Sequence, residues 1–260
     1  MFLGGFGPGI LAAALLMVLT SVIARQRDIP AGRRSSAGEI MGATRRAALV
    51  LVAPFIVIAG IVGGLFTATE SAGIACVYAL VLGLAIYRTL SLKDLPAIFV
   101  RTVLTTGQVM FVLATASVFS WILARGDVPA QFARLPFFSD PSRPWVILIA
   151  LNVLLLILGC LMDSLAILLI ITPMILPIAT RAGIDPVHLG VVMAVNLSIG
   201  LITPPFGSAM FVLMGISRCS MVEFTREVWP YIVMLVVALI LMTYIPGLVL
   251  FLPDLLMGRG

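Results

Sequence analysis

The sequence predicts an all-α polytopic membrane protein, and three observations carry that prediction. Hydrophobic residues make up 62% of the chain and charged ones 10%, against roughly 25% charge in a soluble domain. Mean hydropathy is +1.21. Apolar runs recur at the ~20 helical residues that a ~30 Å hydrocarbon core demands. Sixteen Lys and Arg residues give a formal charge of +5, but they are spread through loops and not gathered on one face. That pattern argues against nucleic acid as a partner and for membrane topology.

The first apolar run, residues 2–24, lacks a basic leader and is expected as an uncleaved span. The polar loop 25–46 follows, with a short amphipathic helix expected from Ser36, its N-cap, to about Arg46. Further spans are expected at 47–65, 69–88 and 97–123. Between two of them, Thr67 and Glu70 of FTATE fit the S/T-x-x-E capping box, a structural role for that acid. Residues 124–144 read as an outer, periplasmic loop.

Trp145 to Ile178 is a largely apolar segment of 34 residues, which as one helix would run about 50 Å, far more than the core needs. Gly159, Asp163 and Ser164 sit near its middle. A re-entrant helical hairpin with its tip around LGCLMDSLA is favoured over one long tilted span or two short ones. Asp185 and Pro186 then read as N-cap and N1 of the next span, 187–217. His188 in its first turn suits packing or hydrogen bonding better than proton relay. Residues 218–227 form an amphipathic linker and 228–251 the last span. Cys76, Cys160 and Cys219 have no metal-ligand spacing and read as packing residues.

Orientation follows from the basic residues. Arg25, Arg27, Arg33, Arg34, Arg45 and Arg46 place the first loop in the cytoplasm, and alternating passes add Arg88, Lys93, Arg101, Arg218 and Arg226. Arg125, Arg134, Arg143, Arg181 and Arg259 fall outside, so the tally is eleven to five. Treating 145–178 as a single crossing leaves the tally unchanged, so length and not charge argues for the hairpin.

Two polar features lie inside the apolar runs. Asp163 has no Lys or Arg at comparable depth in any span, which leaves a bound cation, a transferable proton or a capping role at the tip. In NLSIGLITPPFGSAM, Pro204 and Pro205 stop a helix where freed backbone groups cost several kcal/mol unless protein, water or an ion takes them. Carbonyls of Gly200 to Thr203, with the Thr203 hydroxyl, offer hard oxygen ligands to a small cation. The restart at Gly207 and Ser208 offers N–H groups and a positive dipole end to a carboxylate. Asn196 and Ser198 either line that cavity or bond to neighbouring helices. With one histidine there is no HExxH site, and neither a G-x-S-x-G elbow nor a Walker A sequence occurs, so the chain reads as no enzyme and any transport as ion-driven.

The stretches GGLFTATESAGIACVYALVLG, LILGCLMDSLAILLIITPMILPIA and GIDPVHLGVVMAVNLSIGLITPPFGSAMFV, in this order, closely resemble the large membrane subunit of tripartite ATP-independent periplasmic (TRAP) transporters. The resemblance runs along essentially the whole chain. It implies an elevator transporter in the bacterial inner membrane, built from two inverted repeats and coupled to Na+. It also implies a small membrane subunit and a periplasmic binding protein that delivers organic acids such as C4-dicarboxylates or sialic acid. By that resemblance Asp163 at the hairpin tip is a sodium ligand, and Gly200 and Thr203 complete the ion site. Ser164, Asn196, Pro204, Pro205, Gly207 and Ser208 then border the substrate cavity. Residues 1–123 become the scaffold and arm part, and 145–217 the transport part.

Two departures from the family pattern stand out. FTATESA carries Ala68 where FTPTEAA has proline, which costs the cap some pre-organisation. The chain matches only the C-terminal repeat, so the other repeat is expected from another chain or from a longer protein. Two rivals remain, a binding-protein-independent ion or organic-anion transporter and a non-transporting membrane assembly factor.

Overall fold

The computed structural model describes residues 2–28, 35–205 and 207–258, without the side chains of Phe2, Arg46, Ser208 and Met257. Arg33, Arg34 and Arg259 of the topology argument, and Phe206 of the proline motif, lie outside the described residues. Helices account for 81% of the described residues, among which there is no strand. By length and composition, six described helices can each cross a membrane, and a bent pair makes a seventh. The chain divides into two compact units, residues 30–108 and residues 1–29 with 109–260. Residues 1–123, expected as one part, are therefore split: the first helix packs with the hairpin unit.

In the unit of residues 30–108, α2 (Ala37–Val62) starts at Ser36, whose hydroxyl accepts from the Glu39 N–H at 3.2 Å while Glu39 accepts from the Ser36 N–H. The helix bends by 56° between Ala37–Arg45 and Ala47–Val62, so the expected amphipathic piece and the expected span are two arms of one bent helix. It ends at Gly63, and Gly64 takes the left-handed φ of +67° that turns the chain. Helix α3 (Ala68–Val81) begins with the reciprocal Thr67–Glu70 capping box and runs on through a π-helical turn, Leu82–Ile86. Tyr78 donates to the Leu49 carbonyl at 2.7 Å and ties α3 to α2.

Helix α4 (Leu95–Arg125) runs from that unit into the other. There, residues expected as an outer loop are partly built: α5 (Val128–Ala133) packs on the hairpin, and Phe132 stacks on Phe138 at 4.7 Å between ring centroids. Phe138 is buried in the same apolar cluster as Ile147, Ile178 and Ile184.

Helices α6 (Pro144–Leu161) and α7 (Ser164–Arg181) are the arms of the expected fold-back. Pro144 and Trp145 at the start of α6 line one cavity of about 300 Å³ with Ala182, Gly183 and Ile184 just after α7, so the arms run antiparallel. Each 18-residue arm is about 27 Å long. Against them lies α8 (Pro186–Gly200), parallel to α6, with Leu151 and Leu155 of α6, Ile171 and Ile175 of α7 and Met193 and Leu197 of α8 in one core.

Helix α9 (Ser208–Ser217) continues after the break, and α10 (Met221–Tyr244) follows a third capping box, Ser220 with Glu223. The last span expected at 228–251 needs correction. Its helix starts earlier, at that box, and ends at Tyr244, because Pro246 forces Ile245 out of the helical region to φ −118°, ψ 80°. A separate helix, α11 (Gly247–Met257), then packs on α1 (Phe2–Gln26), where a Cβ on Gly7 would lie 2.0 Å from the Leu248 carbonyl oxygen. At the other end of α1, Arg27 pairs with Glu227 of α10 at 2.7 Å.

Pro173 in α7 supplies no N–H to the Leu169 carbonyl four residues back, and the Ser120 hydroxyl of α4 donates to that carbonyl at 3.2 Å. Ser120→Ala should therefore lower the stability of the detergent-solubilised protein by about 1 kcal/mol. Ser117→Ala, which removes only a bond to Leu113 in its own helix, should leave the thermal melt within error.

Candidate functional site

The fold-back tip is short because an acid caps it. Leu161 ends α6, Met162 is extended at φ −132° and ψ 162°, and Asp163 is the N-cap of α7, its Oδ1 accepting from the Leu165 N–H at 2.9 Å. The carboxyl group is exposed, and no hydrogen bond among the described residues joins it to the proline break. Its neighbour Ser164 has a buried hydroxyl with no partner among the described residues. Of the roles open for Asp163, capping is therefore made by the backbone geometry itself, and one carboxylate oxygen remains for another ligand.

The proline break is a tight loop and not a kink. Helix α8 ends at Gly200, and the N–H groups of Ile202 and Thr203 bond back to Ile199 and Gly200. Thr203 Oγ1 donates to the Ile199 carbonyl at 2.7 Å, which leaves its lone pairs free to accept or ligate. Two residues into α9's side of the loop, the Ala209 N–H reaches back to the Leu201 carbonyl at 3.1 Å. A Cβ on Gly207 would sit 2.4 Å from that Leu201 oxygen and 3.0 Å from the Thr203 oxygen, so only glycine lets the loop close. Pro204 is half-buried and Pro205 exposed, while the side chain of Ser208 lies outside the described residues.

Tip and break approach each other through two glycines. A Cβ on Gly200 would lie 2.6 Å from the carbonyl carbon of Gly159, and one on Gly159 would lie 3.3 Å from the Gly200 Cα. Backbone touches backbone, one helical turn before Asp163 on α6 and at the last residue of α8. Gly200 is thus placed beside the tip arm by direct contact, whereas Asp163 and Thr203 are on the two segments that this contact joins.

Asn196 is fully buried and belongs to a neighbouring-helix network, the second of its two expected roles. Its Nδ2 donates to Asn152 Oδ1 at 2.9 Å and to the Asn152 carbonyl at 3.0 Å. Asn152 Nδ2 donates in turn to Thr243 Oγ1 of α10 at 2.9 Å, and Thr243 donates to the Leu239 carbonyl. Ser198 is exposed and bonds to Ala194 in its own helix. His188 is buried, with Nε2 2.9 Å from the Met242 carbonyl oxygen. A carbonyl only accepts, so that nitrogen carries the proton and the ring serves as a helix-to-helix bond. Asn152 and Thr243 were not singled out in the sequence. Asn152 did carry a signal, as the one amide inside PWVILIALNVLLLILGCL, seven residues and so about two turns before Gly159.

A family model described as the tripartite ATP-independent periplasmic transporter, DctM component, matches residues 1–248. The sialic acid TRAP transporter large permease protein SiaM of Vibrio cholerae is 39% identical over 260 residues, covering all of this chain and 61% of that protein. The C4-dicarboxylate TRAP transporter large permease protein DctM of Pseudomonas aeruginosa is 38% identical over 254 residues, covering 98% of this chain and 59% of its own length. The 2,3-diketo-L-gulonate TRAP transporter large permease protein YiaN of Escherichia coli is 33% identical over 252 residues, covering 96% and 59%. The chain thus spans about three fifths of the length of these curated relatives.

Alanine should act in opposite directions at a glycine in this contact and at one outside it. Gly200→Ala should destabilise the protein by about 1–3 kcal/mol through overpacking against Gly159. Gly215→Ala in α9, where a Cβ meets nothing within 4 Å, should stabilise it by about 0.5–1 kcal/mol. Thermal melts of the two purified variants check the difference in sign.

Proposed function

This chain belongs to the DctM-component family of tripartite ATP-independent periplasmic transporters, and on that premise we propose that it carries the ion- and substrate-handling part of a sodium-coupled importer of organic acids. The observation that carries this reading is the Gly159–Gly200 contact, which joins an acid-tipped hairpin to a proline-interrupted helix within one unit. Paired broken elements near the bilayer midplane are how secondary transporters place ion and substrate sites. Sodium, as the co-transported ion, would take hard oxygens from the Asp163 carboxylate, the Thr203 hydroxyl and backbone carbonyls of the loop that starts at Gly200. Ser164, with its unpartnered hydroxyl, Pro204, Pro205, Gly207 and Ser208 would border the substrate, whose carboxylate suits the positive start of α9.

Sialic acid, C4-dicarboxylates and 2,3-diketo-L-gulonate, the compounds in the relatives' names, share a carboxylate. An anion matched to a helix start and a cation matched to carboxylate and carbonyl oxygens can occupy adjacent positions, each lowering the cost of the other. That mutual dependence is the physical basis of symport. A small membrane subunit and a periplasmic binding protein complete the assembly in the inner membrane, and the binding protein does most of the substrate selection. Movement is of the elevator type, with the hairpin and broken helix travelling together because their glycine backbones are in contact.

In the full-length subunit, assembled with its partners in proteoliposomes, Asp163→Asn should raise the sodium concentration for half-maximal uptake by at least about tenfold, a loss of ~1.4 kcal/mol of ion binding. Uptake with unchanged sodium dependence would remove Asp163 from the ion site. Uptake by the membrane subunits alone, with no binding protein present, would overturn the tripartite reading.

A further inference from the structure

We propose that Asn152 is a positioning residue for the ion site, because the Asn152–Asn196–Thr243 network locks the axial register of α6 against α8 and so sets the level at which hairpin tip and helix break meet. The proposal rests on the reading of Asp163 and Thr203 as ion ligands.

The other α6–α8 contacts in the core are apolar, from Leu151 and Leu155 on one helix and Leu189, Met193 and Leu197 on the other. In lipid such packing has no hydrophobic driving force, and aliphatic side chains fit one another in more than one register. The network admits only one. Both oxygens that Asn196 meets, Oδ1 and the carbonyl of Asn152, are acceptors, so the Asn196 NH₂ group must face them. Asn152 then has its own NH₂ committed to Thr243 on a third helix. A slide of α6 against α8 by one residue, about 1.5 Å, breaks both Asn196–Asn152 bonds at once and strands amides in an apolar core, while the bond to Thr243 ties Asn152 to α10.

Among the described residues the arrangement leaves Asn196 Oδ1 buried with no donor. An unpartnered buried acceptor is a cost that stability alone does not explain, since two leucines would fill the same space without it. Its position supplies the reason. Asn152 lies about two turns from Gly159 and Asn196 about one turn from Gly200, so the amides act directly behind the glycine contact. The glycines permit the approach, and the amides fix its height. A buried polar residue selecting one register at a cost in stability is the behaviour of asparagine in coiled-coil seams.

The test uses the complete transporter with Asn152→Leu and Asn196→Leu together, a pair that keeps heavy-atom count and removes every amide. Nitroxide labels on Leu161→Cys and Ser198→Cys, both exposed positions, report tip-to-break distance by pulsed electron resonance in a background without the three native cysteines. The expected result is a melting temperature at or above the wild-type value, a distance distribution displaced or broadened by about 1.5 Å or more, and a rise of about tenfold in half-saturating sodium. An unchanged distribution overturns the proposal, as does a displaced one with wild-type sodium dependence. Should the double variant not fold, Thr243→Val removes the acceptor for Asn152 together with the hydroxyl's bond to Leu239 in its own helix; it should raise half-saturating sodium severalfold, and Thr243→Ser should restore it. A Thr243→Val transporter with wild-type sodium dependence overturns the proposal equally. If Asp163→Asn leaves sodium dependence unchanged while the double leucine variant raises it, the ligand assignment fails and the register lock stands.

Discussion

Inside a bilayer no water satisfies a freed backbone group, and that constraint governs this molecule. Each interruption of a helix has to be closed by something the protein provides. At residues 201–207 the closure is internal: the Leu201 carbonyl takes the Ala209 N–H, and Thr203 returns its hydroxyl to Ile199. At the fold-back it is a carboxylate on the Leu165 amide. At Pro173 it is a serine from another helix. At these three interruptions a partner stands beside the break, and among the described residues the Ser164 hydroxyl at the fold-back tip is buried with no partner.

The same constraint explains which parts of the fold were legible in the sequence. Caps are local, and the three-residue spacing of Thr67 with Glu70, or the Asp185–Pro186 pair ahead of α8, names its own partner. Ser220 with Glu223 has the same spacing and was readable, yet the apolar run beyond it drew the boundary to residue 228. Pro246 was readable too, but it lies near the end of an apolar run that hydropathy alone carries to residue 251. The fold-back follows from length, because a largely apolar segment of 34 residues exceeds what one crossing uses.

Long-range pairing was not legible. Asn152 meets Asn196 across 44 positions and Thr243 across 91, and no periodicity in either segment announces a partner. In the sequence Gly200 offers a carbonyl, whereas in the fold its missing Cβ matters first, through a contact with Gly159 that is visible only in three dimensions. The packing of Phe132 and Phe138 over the hairpin's open end belongs to the same class: an outer loop composition concealed a short helix and a buried ring.

These long-range contacts differ from the apolar core in kind. Leucine and isoleucine fill the space among α6, α7 and α8, but lipid is as apolar as they are, so filling space settles neither partner nor height. Discrimination has to come from groups that lipid cannot imitate. Here one is repulsive and one attractive: two glycine backbones that exclude any Cβ, and two amides that pair in a single register. On the proposed elevator movement, tip and break would have to keep their relative height throughout. Contacts of very short range are suited to this, since each is lost within a displacement much smaller than the width of the membrane it crosses.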